Sequence, residues 1–161
     1  MSEIKINHKI EDVMNEKLKG NSLKNAINFV AYMRANEMPP DPDSDNWFKY
    51  LGENICVIVF DDAKRWSIYW SNCDVYSNDQ EDSQVDELLK EFAWNYENPC
   101  GECPCPKYNP AGNRKTIFGK VFEKSCYSTL CFDNPDPVAL VYIKKLVEMR
   151  KQNIFNLQGI K

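Results

Sequence analysis

"NICVIVFDDAKRWSIYW", residues 54–70, carries the reading on which the fold class rests. Ile55 to Phe60 are continuously apolar and rich in β-branched side chains, the pattern of a strand buried on both faces. Asp61 to Lys64 supply a polar turn. Trp66, Ile68 and Trp70 then alternate with Ser67 and Tyr69, the period of two that marks a strand. Together these runs predict a β-hairpin.

Upstream, helices are expected. One spans Lys9 to Leu18 and stops at Gly20. A second is capped by Asn21 or Ser22, with Leu23, Ala26, Ile27, Val30 and Met33 at helical spacing. "MPPDPDSD", residues 38–45, cannot continue a helix and reads as an exposed connector. Downstream, the polar stretch 71–84 precedes a helix capped by Ser83, with an apolar stripe of Val85, Leu88, Leu89, Phe92 and Tyr96. Thr116 to Phe122 and Cys126 to Phe132 then read as two strands joined by a turn at Glu123 to Ser125. Asp136 caps a last helix, with Pro137 at its first position. Lys144, Lys145, Arg150 and Lys151 are expected on the wet side of that helix.

Hairpins alternating with helices predict an α+β fold: an antiparallel sheet of two β-hairpins with helices packed mainly on one face. The expected organisation is a single domain over residues 1–161. It has a helical N-terminal part, 1–37, and two strand–strand–helix halves, 54–96 and 114–152. With 161 residues, 43% hydrophobic and 27% charged, the chain has enough apolar material for its own core. A net charge of −4 argues against non-specific nucleic-acid binding, which depends on lysine and arginine meeting phosphates. No apolar run approaches the length of a membrane span, and the charged N-terminus lacks a signal-peptide core. A cytoplasmic location is therefore expected. There, seven cysteines read as thiols or ligands before disulfides.

"CGECPCP", residues 100–106, is the most concentrated chemistry in the chain. Cys100 and Cys103 have the C-x2-C spacing that lets two thiolates meet one tetrahedral metal from a tight turn. Cys105 adds a third thiol, and Pro104 and Pro106 stiffen the segment. A closed structural site needs a fourth ligand, for which Cys126 is the leading candidate. Zinc ranks ahead of an iron–sulfur cluster. Free thiols and a redox or disulfide role stand beside the metal reading. Cys56 reads as a buried hydrophobe inside its strand. Cys126 and Cys131, five apart, point to opposite faces of a regular strand unless a bulge intervenes. His8, the one histidine, makes a Ser-His-Asp or Cys-His arrangement improbable, and no phosphate-cradling glycine motif is present.

Cys103-Pro104-Cys105 resembles one motif of the catalytic subunit of ferredoxin–thioredoxin reductase. That family carries a second Cys-Pro-Cys and a Cys-His-Cys, both absent here, so no fold or activity is taken from the likeness.

The leading functional expectation is a small-molecule-binding domain with an aromatic-lined pocket, not an enzyme. Trp66, Ile68 and Trp70 on one strand face, or Tyr69 on the other, form the pocket wall, with Trp47 and Tyr50 closing over it. Two alternatives come from other classes. One is an acidic protein–protein interaction module, an inhibitor or regulator, built on the carboxylates of 41–45 and 79–87. The other is a thiol or iron–sulfur redox enzyme centred on Cys103 or Cys105 beside Lys107.

Overall fold

The computed structural model describes residues 9–43, 46–61, 64–71, 85–100 and 113–159. It is a mixed helix and strand structure with an antiparallel sheet, the α+β class expected. The helices are α1 (Ile10–Lys17), α2 (Gly20–Ala35), α3 (Glu87–Asn95) and α4 (Pro137–Leu157). The strands are β1 (Trp47–Tyr50), β2 (Glu53–Phe60), β3 (Trp66–Ser71), β4 (Glu97–Pro99), β5 (Asn113–Ile117) and β6 (Lys120–Asp133). In the sheet they run β1-β2-β3-β6-β4, with β5 also paired to β6. Leu130 pairs with both Trp70 and Glu97, and Ser125 with both Pro99 and Asn113. β4 therefore lies on one side of β6, and β3 and β5 share the other.

The 54–70 hairpin forms as β2–β3. Its turn is closed from both ends: the Asp61 amide donates to the Arg65 carbonyl (3.1 Å), and the Arg65 amide donates to Asp61 Oδ1 (2.9 Å). The expected hairpin of 116–122 and 126–132 does not form: β6 continues through Glu123 to Ser125, and the hairpin found is β5–β6, turning at Phe118–Gly119 with φ of 45° and 79°. Two successive left-handed residues match the twist of a two-residue hairpin, so the glycine settles the turn where the polar residues do not. Leu51–Gly52, at φ 48° and 82°, makes the same kind of turn and adds β1, which the two-hairpin description lacks. Ser83 lies outside the described residues. The cap of α3 is Asp86, whose carboxylate accepts the Leu88 amide at 3.0 Å. Asp136 caps α4 by accepting the Ala139 amide at 2.8 Å, with Pro137 opening the helix as its fixed φ favours.

Register organises the core. Cys56, Trp70 and Leu130 form one row across three strands; Ile58, Ile68 and Phe132 form the next. All six are buried. Phe29 of α2 reaches this face, 6.2 Å from the Trp66 ring and 6.3 Å from Phe48. Phe92 of α3 stacks on Phe132 at 5.7 Å and on Tyr142 of α4 at 4.8 Å. Each such fully buried side chain contributes about 1.5–3 kcal/mol from removal of apolar surface alone. The opposite side of β2 departs from its expected burial: Val57 is half-buried and Val59 is 43% exposed.

Arg150 departs from expectation too. It is 4% exposed and sits on the buried side of α4 with Leu146, Val147 and Ile154, whereas Lys145 is exposed. Positions 143, 146, 147, 150, 153 and 154 share one helical face, so the 3.6-residue repeat carries Arg150 inward with its apolar neighbours.

Candidate functional site

The sheet face opposite the Trp66–Trp70 row carries a second row. Trp47 pairs with Val57, Val57 with Tyr69, and Tyr69 with Cys131, one residue from each of four adjacent strands. The Cys131 amide then donates to the Tyr96 carbonyl at 3.0 Å. All four side chains are half-exposed. Directly opposite pairs on a sheet face have Cβ atoms roughly 4.5–5.5 Å apart, so the row is a continuous strip. Beside it Val59 is exposed, and the Ser67 hydroxyl donates to Asp133 Oδ1 at 2.9 Å.

The Tyr69 hydroxyl and the Cys131 thiol are close enough to influence each other's ionisation. Burial is the main reason the Tyr69 phenol is held above its usual range; the Cys131, Asp133 and Cys126 charges add to it. Burial likewise raises the Cys131 thiol, partly offset by the neighbouring Tyr69 hydroxyl and reinforced by Asp133 and Cys126. Both groups are neutral at pH 7. They offer a phenol and a thiol for polar recognition, not a ready thiolate nucleophile.

Cys126 adds a small electrostatic contribution to both shifts, and the pairing of β6 is irregular between the two cysteines. Trp70 faces Leu130 but Ser71 faces Ser128, so β6 holds one extra residue there, and its pairing with β4 is irregular between Ser125 and Leu130. An inserted residue reverses the alternation beyond it. That bulge is the exception the strand-parity argument allowed, and it removes the reason to set Cys126 and Cys131 on opposite faces.

The expected site residues are distributed as follows. Trp66, Ile68 and Trp70 are fully buried in the core face, and neither indole Nε1 has a hydrogen-bond acceptor among the described residues. Trp47 and Tyr69 share the half-exposed row. Tyr50, also half-exposed, lines a separate recess of about 210 Å³ with Glu148, Lys151, Gln152 and Phe155, and Lys151 Nζ lies 5.1 Å from its ring centre. A drug-sized ligand needs roughly 300–1,000 Å³. Cys56 is buried, as expected, and its thiol is pushed far up by burial. The Cys100 amide donates to the Lys124 carbonyl at 2.8 Å, placing that residue beside the β6 segment that carries Cys126. Cys73, Cys103, Cys105 and His8 lie outside the described residues. Among the described residues no group of three or more His, Cys, Asp or Glu side chains is gathered to hold a metal. Val57 and Cys131 escaped the sequence reading of the site. The available signal was their shared strand parity with Tyr69 and Trp47, opposite to the core.

The fold and this face define the class as an α+β protein with a half-exposed aromatic and thiol strip across its sheet. Comparison of the chain with protein-family models, with curated proteins and with solved structures gave no match. No helix among the described residues is long and apolar enough to cross a membrane.

Proposed function

We propose that this is a cytoplasmic, single-domain binding protein. It holds a small, partly apolar molecule on the sheet face bearing Trp47, Val57, Tyr69 and Cys131. The helices gather on the Trp66–Trp70 face and leave this one for the ligand. The carrying observation is the register that aligns four half-exposed side chains from four strands. Trp47 and Val57 supply apolar contact; the Tyr69 phenol and Cys131 thiol supply the few polar groups that orient a ligand. One feature weighs against the acidic-module reading: Asp41 of the connector is paired with Lys49 Nζ at 2.6 Å.

The test is a thermal-shift screen of small aromatic and amphipathic molecules, followed by titration of Trp47 fluorescence. Hits should bind the parent protein and lose at least tenfold in affinity in Trp47→Ala and Tyr69→Ala, with circular dichroism unchanged. Hits that ignore both substitutions, or a screen without a stabilising compound, would remove this reading.

A further inference from the structure

We propose that Arg150 and Asn153 form an oxyanion-binding site on the buried side of α4, taking a carboxylate or phosphate group. Arg150 is 4% exposed and Asn153 8%. Arg150 Nε and Asn153 Nδ2 are both shut off from solvent and have no hydrogen-bond acceptor among the described residues. The two residues are three apart in one helix, so their side chains rise from the same face about 5–6 Å apart at Cβ.

The helix offers no counter-charge. The positions that neighbour Arg150 at i±3 and i±4 are Leu146, Val147, Asn153 and Ile154, with no carboxylate among them. Glu148, two residues back, instead accepts the Tyr32 hydroxyl, and no ion pair includes Arg150 among the described residues. A guanidinium cannot escape burial by losing its proton, as a buried lysine can. An uncompensated buried charge is strongly destabilising, so it is retained where something pairs with it.

Arg150 Nε and Asn153 Nδ2 are both donors, so this face of the helix lacks an acceptor-rich partner. The planar guanidinium fork matches the two oxygens of a carboxylate or phosphate, and an amide one helical turn away can donate to the same group. This site is on α4 and is independent of the sheet-face reading above.

The experiment uses the full chain with inorganic phosphate and acetate as separate probes, at constant ionic strength, with chloride as the control. Calorimetric titration and thermal melting are read together. The expected result is saturable binding of at least one oxyanion, with the melting midpoint rising by about 5–10 °C at a hundredfold excess over Kd. Arg150→Met, close in length and uncharged, should weaken binding at least tenfold and melt at or above the parent midpoint without anion. Arg150→Lys should keep the charge but bind several-fold more weakly for want of the fork. Asn153→Leu should reduce affinity a few-fold and keeps the test alive if Arg150→Met does not fold. The proposal is overturned if neither oxyanion binds, or if binding survives Arg150→Met. It is also overturned if Arg150→Met lowers the midpoint sharply and phosphate and acetate leave the parent unchanged; the guanidinium would then be neutralised by the chain's own carboxylates.

Discussion

Truncating Ile68 and truncating its neighbour Tyr69 should have opposite characters, one structural and one functional. Ile68 is fully buried, paired with Ile58 on one side and Phe132 on the other, in a row overlain by aromatic rings. Ile68→Ala removes the buried methyl and methylene groups and leaves a cavity the flanking strands cannot close, at a cost of about 2–5 kcal/mol. Domains of this kind have a total stability of roughly 5–15 kcal/mol, so the loss is a large fraction of it. At about 2–4 °C per kcal/mol for a chain of this size, the melting midpoint should fall by roughly 4–20 °C. Tyr69 stands one residue along the same strand on the half-exposed face. Tyr69→Ala gives up a partly solvated ring, for which about 1 kcal/mol is expected. Urea denaturation followed by fluorescence and circular dichroism measures both variants. Val59→Ala, at a 43% exposed position, provides a surface control. If Tyr69→Ala costs as much as Ile68→Ala, the assignment of core face and open face is wrong, and with it the proposed ligand strip.

Alkaline solution should destabilise the protein. Cys56, Cys131, Tyr69 and Tyr32 all have folded-state pKa values raised, chiefly by burial. Their contribution is complete below the unfolded thiol and phenol values, about 8.5 and 10, and is lost as pH rises past them. Urea midpoints should hold steady near pH 7–8 and decline above about pH 9, with Cys56→Ala removing part of the decline; a midpoint constant to pH 10.5 contradicts this. A separate expectation concerns metal: if protein purified without chelator carries one, it should be zinc held by Cys100, Cys103, Cys105 and Cys126, and fewer than about 0.1 zinc or iron per chain with freely titrating thiols means that the cluster is not a metal site. On removal of that metal the segment 98–127 should loosen and the rest stay folded, because all of the buried cluster from Ile10 to Ile154 except Ile117 and Phe118 comes from outside the segment.

The sequence alone determined what depends on near neighbours. Alternation from Trp66 to Trp70 marked a strand, and Asp136-Pro137 marked a helix start, because periodicity and capping are decided within one or two turns of chain. The pair Asp61–Arg65 closed its turn where the polar run stood. The same local logic misled at Glu123–Ser125, where polarity suggested a turn. There the chain stays extended: β4 and β5 pair along it, and Phe118–Gly119 has already reversed the direction. It misled again at Arg150, whose charge suggested solvent while its helical phase turned it inward.

Tertiary structure decided which side of each strand became core. A period of two separates Ile68 from Tyr69 but does not say which side meets the helices; Phe29 and Phe92, distant in sequence, do. It also decided the company Cys126 keeps. Counting residues sets Cys126 and Cys131 on opposite faces, and a bulge in β6 overrides the count. A bulge is a mismatch between two paired strands, so it belongs to the register of β6 against β3 and β4, which no single stretch of sequence contains.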